Sequence, residues 1–268
     1  MACADIFELQ AGNSAIKGRP MKSKKLRKLR SKASRFVGYR TLMGTHGIYG
    51  FAHGKCEANR IALVNHLVTV YGYRHYLEIG TRNKSDMHEN ILAEFRTSVD
   101  PDPTAEADHC CTSDEYFKTT ADTFDIIFID GLHTGEQVYR DINGALAALN
   151  PGGVILLHDL NPPTAFHARE EYEVNGTFPS WNGTSWEGYA RHRVESSNLE
   201  MYVVDVDWGV GFVRPGRQIC YSGSVSGYEN LERDRHALLN LITVRDFLQR
   251  HPKARVPYSP LDPLIARS

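Results

Sequence analysis

Several familiar signatures are missing from this chain of 268 residues. Its five cysteines (Cys3, Cys56, Cys110, Cys111 and Cys220) contain no CxxC pair, and their odd count and irregular spacing argue against a disulfide framework or a zinc knuckle. The adjacent Cys110 and Cys111 read as reduced thiols in a loop. No apolar run approaches the roughly 18 residues that span a bilayer. The opening residues, "MACADIFELQAGNSAIKG", lack the charged-then-apolar order of a signal peptide, so a cytoplasmic location is the expectation. Internal repeats and low-complexity tracts are absent too. Acidic residues are missing from Lys17 to Arg35, where six Lys and four Arg stand together. These ten positive charges offset a remainder of net −11, which leaves −1 overall. A basic arm on an acidic body can touch nucleic acid or an anionic surface; the simpler reading is a solvated leader.

With 41% hydrophobic and 24% charged residues the composition is that of an ordinary globular protein, long enough for one large core. Residues 1–38 form the basic arm. Residues 39–220 read as one α/β domain, with a lid or insert near 164–198, and residues 221–268 as a helical extension. Within the domain, residues 55–72 space Ile61, Val64, Leu67, Val68 and Tyr71 along one helical face, stopped by Gly72. "RHYLEIG" and "TSVD" read as strands, with a helix capped by Ser85 between them and a short helix over "SDEYFKTTA" after them.

"FDIIFID" and "VILLHD" are further strands, joined by a helix from Thr134 to Leu149. Thr134 and Gln137 fit a capping box, Val138, Ile142, Ala145, Leu146 and Leu149 form its buried stripe, and "NPGG" stops it. Strands alternating with helices predict a doubly wound, Rossmann-like α/β/α sandwich. Its sheet is mostly parallel, and the continuous apolar runs fit strands covered on both faces. "EMYVVDVDWGVGFVRPG" adds an antiparallel hairpin, and a helix near 230–250 docks through Leu238, Leu241, Ile242 and Phe247.

In such a sheet ligands sit at the carboxyl ends of the strands. Four of those ends are polar here: Glu78-Ile79-Gly80-Thr81, Asp100, Asp130 with His133, and His158-Asp159. GxGxxG is absent, with Arg82 and Lys84 in the first loop, which weakens a dinucleotide reading. Asp100 ends the next strand, 20 residues past Gly80, where a carboxylate can accept from ribose hydroxyls. Together they suit an adenosine-containing ligand.

The ordered set "YLEIGT…SVDPDP…TSDEYF…FDIIFIDGLHTGEQVYRDI…LNPGGVILLHD" resembles a class I S-adenosylmethionine-dependent methyltransferase of the family 24 type, over about Tyr76 to Asn161. The resemblance implies that Glu78, Gly80 and Thr81 line the methionine end of the cofactor and that Asp100 holds the ribose. Ser113 and Asp114 would flank the adenine, and Asp130 would stand beside the reacting centre. The family usually has a second glycine in the first loop; Lys84 stands near that place.

If the strands ending in Asp130 and in His158-Asp159 are neighbours, about 4.8 Å apart, two carboxylates and an imidazole meet at one rim. Such a cluster calls for a cation between its members, and oxygen-rich ligation with one imidazole suits Mg²⁺ or Mn²⁺. The pattern is also similar to metal-dependent macrolide-sugar O-methyltransferases, which implies Asp130, His158 and Asp159 as ligands and His133 as base. The Thr134 helix dipole is expected to lower the His133 pKa. Trp181, Trp186 and Trp208 could wall the acceptor, and Asn161 is a further oxygen donor. The expected reaction is methylation of a small hydroxylated acceptor, a sugar or natural product. The alternatives are a fold relative with other chemistry, a binding module, and an RNA methyltransferase using residues 17–35. The sequence carries no signal for oligomeric state.

Overall fold

A computed structural model describes residues 58–253. The basic arm, and with it every reading of residues 1–57, lies outside the described residues. Seven strands form one sheet in the order β2-β1-β3-β4-β6-β5-β7. They are β1 (His75–Ile79), β2 (Phe95–Val99), β3 (Phe124–Ile129), β4 (Leu149–Leu157), β5 (Leu199–Val204), β6 (Val210–Pro215) and β7 (Leu241–Ile242). The first four in the chain run parallel, and β6 joins β4 and β5 antiparallel. This is the expected mostly parallel sheet with a hairpin; β7 lies beyond it, parallel to β5.

Successive strand residues feed two separate cores. Leu77, Ile127, Ile129, Ile155 and Leu157 pack on one face, and Tyr76, Ile126, Phe128, Val154 and Leu156 on the other. The two-residue strand period accounts for the alternation, and helices on both sides account for the lack of polar positions. The first core is closed by α2 (Ser113–Thr119), α3 (Gly135–Ala147), α4 (Ser185–Glu195) and α5 (Tyr228–Leu239), the second by α1 (Arg60–Tyr71) and α6 (Val244–Arg250). No helix among the described residues is long and apolar enough to cross a membrane.

Helix α1 ends at Gly72 as its left-handed cap (φ 67°), and α2 starts with a Thr112–Glu115 capping box. Other expectations fail locally. The segment after Ser85 is no α-helix and contains only a 3₁₀ turn at His88–Asn90. The Ser85 amide and hydroxyl both donate to Asn83 Oδ1, and Asn65 of α1 binds Asn90 O and Leu92 N. Side chains bonding to nearby backbone thus replace the helical ladder. Thr134 precedes α3 without a side-chain cap, and the Gln137 side chain, its partner in the supposed box, donates to Ser113, Asp114 and Asp141 instead. Leu149 and "NPGG" open β4 rather than close α3. The single helix near 230–250 is two, parted by Asn240 at φ 47°. Trp186 belongs to core helix α4 and is 1% exposed, so the lid is shorter than the 164–198 expected.

His251, just past α6, ties the second core together. Its ring meets Tyr71 OH at 2.7 Å and Tyr202 OH at 2.5 Å, and His66 donates to its carbonyl at 2.6 Å. Burial pulls the imidazole pKa down to about 4, so the folded state holds it neutral. The unfolded chain binds this proton at about pH 6.5, so the contribution is complete above that pH and is lost as pH falls toward 4. The stability gap between wild type and His251→Phe, measured by urea unfolding, should therefore shrink by up to about 3 kcal/mol over that window. A gap that stays flat with pH would contradict the assignment.

Candidate active site

The carboxyl ends of β1 to β4 open into one cavity of about 740 Å³. Gly80 follows β1 with φ 86°, and a Cβ there would lie 2.2 Å from the Asp130 carbonyl oxygen. Glycine is required here for the contact between two strand ends, because only a residue without Cβ fits. Glu78 is buried and accepts from Tyr76 OH at 2.8 Å. The buried Thr81 Oγ1 has no hydrogen-bond partner and lines the cavity. Asp100 accepts from the backbone amides of Arg82 at 2.7 Å and Asp102 at 2.8 Å, which fixes its carboxylate at the cavity wall.

Ser113 lines the cavity and donates to the buried Asp141 at 2.6 Å, while burial raises the Asp141 pKa. Asp114 corrects the sequence expectation. It is half exposed, pairs with Arg140 at 3.2 Å and is absent from the cavity wall. Successive residues of a helix point about 100° apart, so when Ser113 faces in, its neighbour faces out. Gln137 from α3 takes the inner place. Lys84 also points elsewhere, pairing with Asp108 at 2.6 Å.

β3 and β4 are neighbours with Ile129 opposite Leu157, and His158 N donates to Ile129 O at 3.0 Å. Asp130, His158 and Asp159 therefore meet at one rim as expected, and His133 joins them. His133 Nε2 lies 3.1 Å from Asp130 Oδ1, and its Nδ1 lies 3.4 Å from Asp159 Oδ2. His158 reaches both carboxylates with a single atom: Nδ1 is 3.4 Å from Asp130 Oδ1 and 3.4 Å from Asp159 Oδ2. That nitrogen is buried and has no hydrogen bond.

Burial alone would hold both imidazoles below their ordinary pKa. The charge of Asp159 and Asp130 lifts His158 well above it, and the hydrogen bond to Asp130 with the charge of Asp159 lifts His133. The dipole-lowered His133 expected from the sequence is thus overturned, because two carboxylates outweigh one helix end. Conversely, burial would raise Asp130, but the two imidazoles hold it well below the usual carboxylate range.

Sequence reasoning missed two members of this site. Arg60 Nη1 stands 3.3 Å from His158 Nε2 and pairs with Asp207 at 3.2 Å. Asp207 lies in the β5–β6 turn, where Asp207 (φ 48°), Trp208 (φ 66°) and Gly209 (φ 89°) are consecutive left-handed residues. That turn sits at the same sheet end as the cavity, a placement that "DVDWG" alone could have suggested as a tight turn. Nothing in the spacing of α1 pointed to Arg60. Trp181 and Trp208 line the cavity as proposed. Asn161 does not: it is fully buried, donates to Asp205 at 3.0 Å and accepts from Arg235.

The lid follows β4. The Arg169 guanidinium donates to the carbonyls of Phe166, Tyr172, Pro179 and Ser180 at 2.7–3.1 Å, which closes the loop on itself. Its inner side carries a stack: Tyr172 on Trp181 at 5.0 Å, and Trp181 on His133 at 5.0 Å.

Residues 56–160 match a family model described as a methyltransferase domain. No curated protein matches the chain. Among solved structures, it is similar to an O-methyltransferase from Bacillus cereus in complex with SAH (15% identity, 68% of this chain and 88% of that one, TM-score 0.39). It is also similar to the O-methyltransferase TomG of Streptomyces achromogenes, involved in tomaymycin synthesis (11% identity, 73% and 99% covered, TM-score 0.44). A third is the SAH-bound methyltransferase PaMTH1 of Podospora anserina (13% identity, 76% and 99% covered, TM-score 0.44).

The Gly80 contact makes a direct prediction. Gly80→Ala should lower stability by roughly 3 kcal/mol in urea unfolding, since strained backbone and a clash with a fixed carbonyl combine. An unaffected midpoint would mean that the two strand ends do not meet.

Proposed function

With a methyltransferase domain over residues 56–160 as the premise, we propose that this chain is a cation-assisted, S-adenosylmethionine-dependent O-methyltransferase. Its acceptor would be a small hydroxylated molecule, a sugar or another natural product. The observation that carries the reading is the meeting of Asp130, His158 and Asp159 on the wall of one cavity that Gly80, Asp100 and Ser113 also line. The residues present fit both groups. The unpartnered Thr81 hydroxyl and the fixed Asp100 carboxylate suit a ribosyl ligand with polar substituents. The two carboxylates and the unpartnered His158 Nδ1 suit a divalent cation.

Donors about 2.1 Å from a Mg²⁺ or Mn²⁺ ion at right angles stand about 3 Å apart, close to the His158 Nδ1 separations. Asp130, His133 and Asp159 also bring donor atoms within 4.8 Å of one another. His133, however, approaches the two carboxylates with different ring nitrogens, whereas His158 does so with one. We therefore take Asp130, His158 and Asp159 as the cation ligands.

When bound, the sulfonium cofactor supplies an electrophilic methyl group, and the cation acts as a Lewis acid toward an acceptor hydroxyl. The chain's own residues do the rest. Asp100 orients the ribose through carboxylate oxygens already held by two amides. The lid and Trp208 restrict the acceptor to the rim, and holding it in line contributes most of the acceleration. His133, 3.1 Å from Asp130 Oδ1 and 3.4 Å from Asp159 Oδ2, is held at the rim where an acceptor hydroxyl would sit, and a neutral imidazole there would take the hydroxyl proton as general base. His133 is also the more exposed ring, at 16% against 6% for His158. Lys84, near the place of the family's second glycine, pairs with Asp108 and does not line the cavity, which leaves room for the cofactor in this reading.

Calorimetry with S-adenosylhomocysteine tests the cofactor reading, and absence of binding would end it. For the cation, the free Mn²⁺ resonance signal should fall on adding wild-type protein. His158→Ala and Asp159→Ala should lose this effect while binding S-adenosylhomocysteine as before. His133→Ala should keep both affinities and lose turnover by roughly 10²-fold or more. If His133→Ala rather than His158→Ala abolishes Mn²⁺ binding, the two imidazoles exchange roles.

A further inference from the structure

We infer that the tetrapeptide Trp181–Thr184 is the positioning element of this site, and that Asn182 within it orients Asp159 for cation binding. The inference rests on the cation reading above. Asp159 sits in left-handed backbone, φ 60°, which a residue other than glycine rarely adopts without support. Its Oδ1 accepts from Asn182 Nδ2 at 2.6 Å. Its Oδ2 is the oxygen that lies 3.4 Å from each imidazole. One oxygen is thus committed to the lid and the other is turned to the cluster, a division that fixes the carboxylate plane.

Asn182 is fully buried, yet its own Oδ1 has no hydrogen-bond partner. Leaving a buried amide oxygen unpaired is costly, so burial of this side chain is poorly explained as core filling. The useful end is the one that donates to Asp159. The segment around it is held hard against the site. Asn182 N and Gly183 N both donate to His167 O, at 2.9 and 3.1 Å. Gly183, at φ 61°, lies so close to the His133 carbonyl that a Cβ would stand 2.1 Å from its oxygen.

Thr184 N donates to that same carbonyl at 2.9 Å, and Thr184 Oγ1 accepts from Gly135 N, also at 2.9 Å. Trp181 stacks on the His133 ring with 26° between planes. One short lid segment therefore grips His133 after β3 and Asp159 after β4. The stack supplies the ring plane of the proposed base, and Asn182 supplies the direction of the ligand carboxylate.

The test uses the full chain and Mn²⁺ as the probe. Asn182→Leu keeps the branched shape in a larger side chain without the donor, and Asn182→Ala removes both shape and donor. Each should weaken Mn²⁺ binding, read from the free-ion resonance signal, by about 10–100-fold. S-adenosylhomocysteine affinity, measured by calorimetry on the same samples, should stay within about twofold of wild type and reports that the cavity is folded. Wild-type Mn²⁺ affinity in a folded Asn182→Leu or Asn182→Ala variant would overturn the positioning role while leaving the cation reading intact. A wild-type protein that binds S-adenosylhomocysteine but not Mn²⁺ would overturn the cation reading and this inference with it.

Discussion

The register between β3 and β4 is the constraint on which the site depends. Ile129 faces Leu157, so the next residue on one strand is Asp130 and on the other His158. A slip by one residue would move every side chain of one strand to the opposite face. In a sheet with one wet face, polarity forbids such a slip. Here both faces are dry, and polarity is silent. Packing decides instead: Ile127, Ile129, Ile155 and Leu157 fill one core while Ile126, Phe128, Val154 and Leu156 fill the other. The register irregularity between Phe124 and Ile126 lies opposite Asn150–Gly153 near the start of β4, and beyond it the pairing runs regularly from Ile126 with Val154 to Ile129 with Leu157. Core shape therefore sets where the polar tips meet.

Once those tips meet, their charge has to be balanced. Two carboxylates at a half-buried rim are costly unless a cation is close. The protein supplies part of the balance itself, through His133, His158 and Arg60. This explains why the imidazoles rise in pKa and Asp130 falls: each stabilises the charged form of the other. In the proposed reading a divalent ion would supply the rest of that balance, because the donor atoms of Asp130, His158 and Asp159 are already gathered.

Much of this was legible in the sequence because strand ends carry two signals at once. "FDIIFID" and "VILLHD" are apolar where they are buried and polar where they emerge, so strand, neighbour and rim followed together. Gly72 and the hairpin after Glu200 were equally local signals. The failures were non-local. Ser85 resembles a helix cap, but Asn65 and Asn83, one of them on another helix, draw off the backbone groups that a helix would need. Asp114 and Ser113 were indistinguishable until the orientation of α2 was known. Arg60 had no periodic or motif signal, since its place comes from how α1 crosses the sheet. Trp186 shared a motif with Trp181 and went to the core, because α4 begins between them.

The same reasoning explains why the site recruits segments so far apart. Asp207 reaches His158 from the hairpin turn, at 3.6 Å, and takes both the backbone amide and the guanidinium of Arg60 from the start of α1. Burial alone would raise the Asp207 carboxyl; the nearby His158 imidazole, and the Arg60 amide and guanidinium that donate to it, hold it far below its ordinary range. His158 Nε2 is thereby committed to this pair, which leaves Nδ1 as the one nitrogen able to serve the rim. A histidine with both nitrogens toward the cavity would be ambiguous in orientation and tautomer. Engaging one nitrogen from behind removes that ambiguity, as outer partners of metal-binding imidazoles generally do. The antiparallel hairpin thus does more than close the sheet. By turning at the cavity end, it decides which face of His158 is available for chemistry.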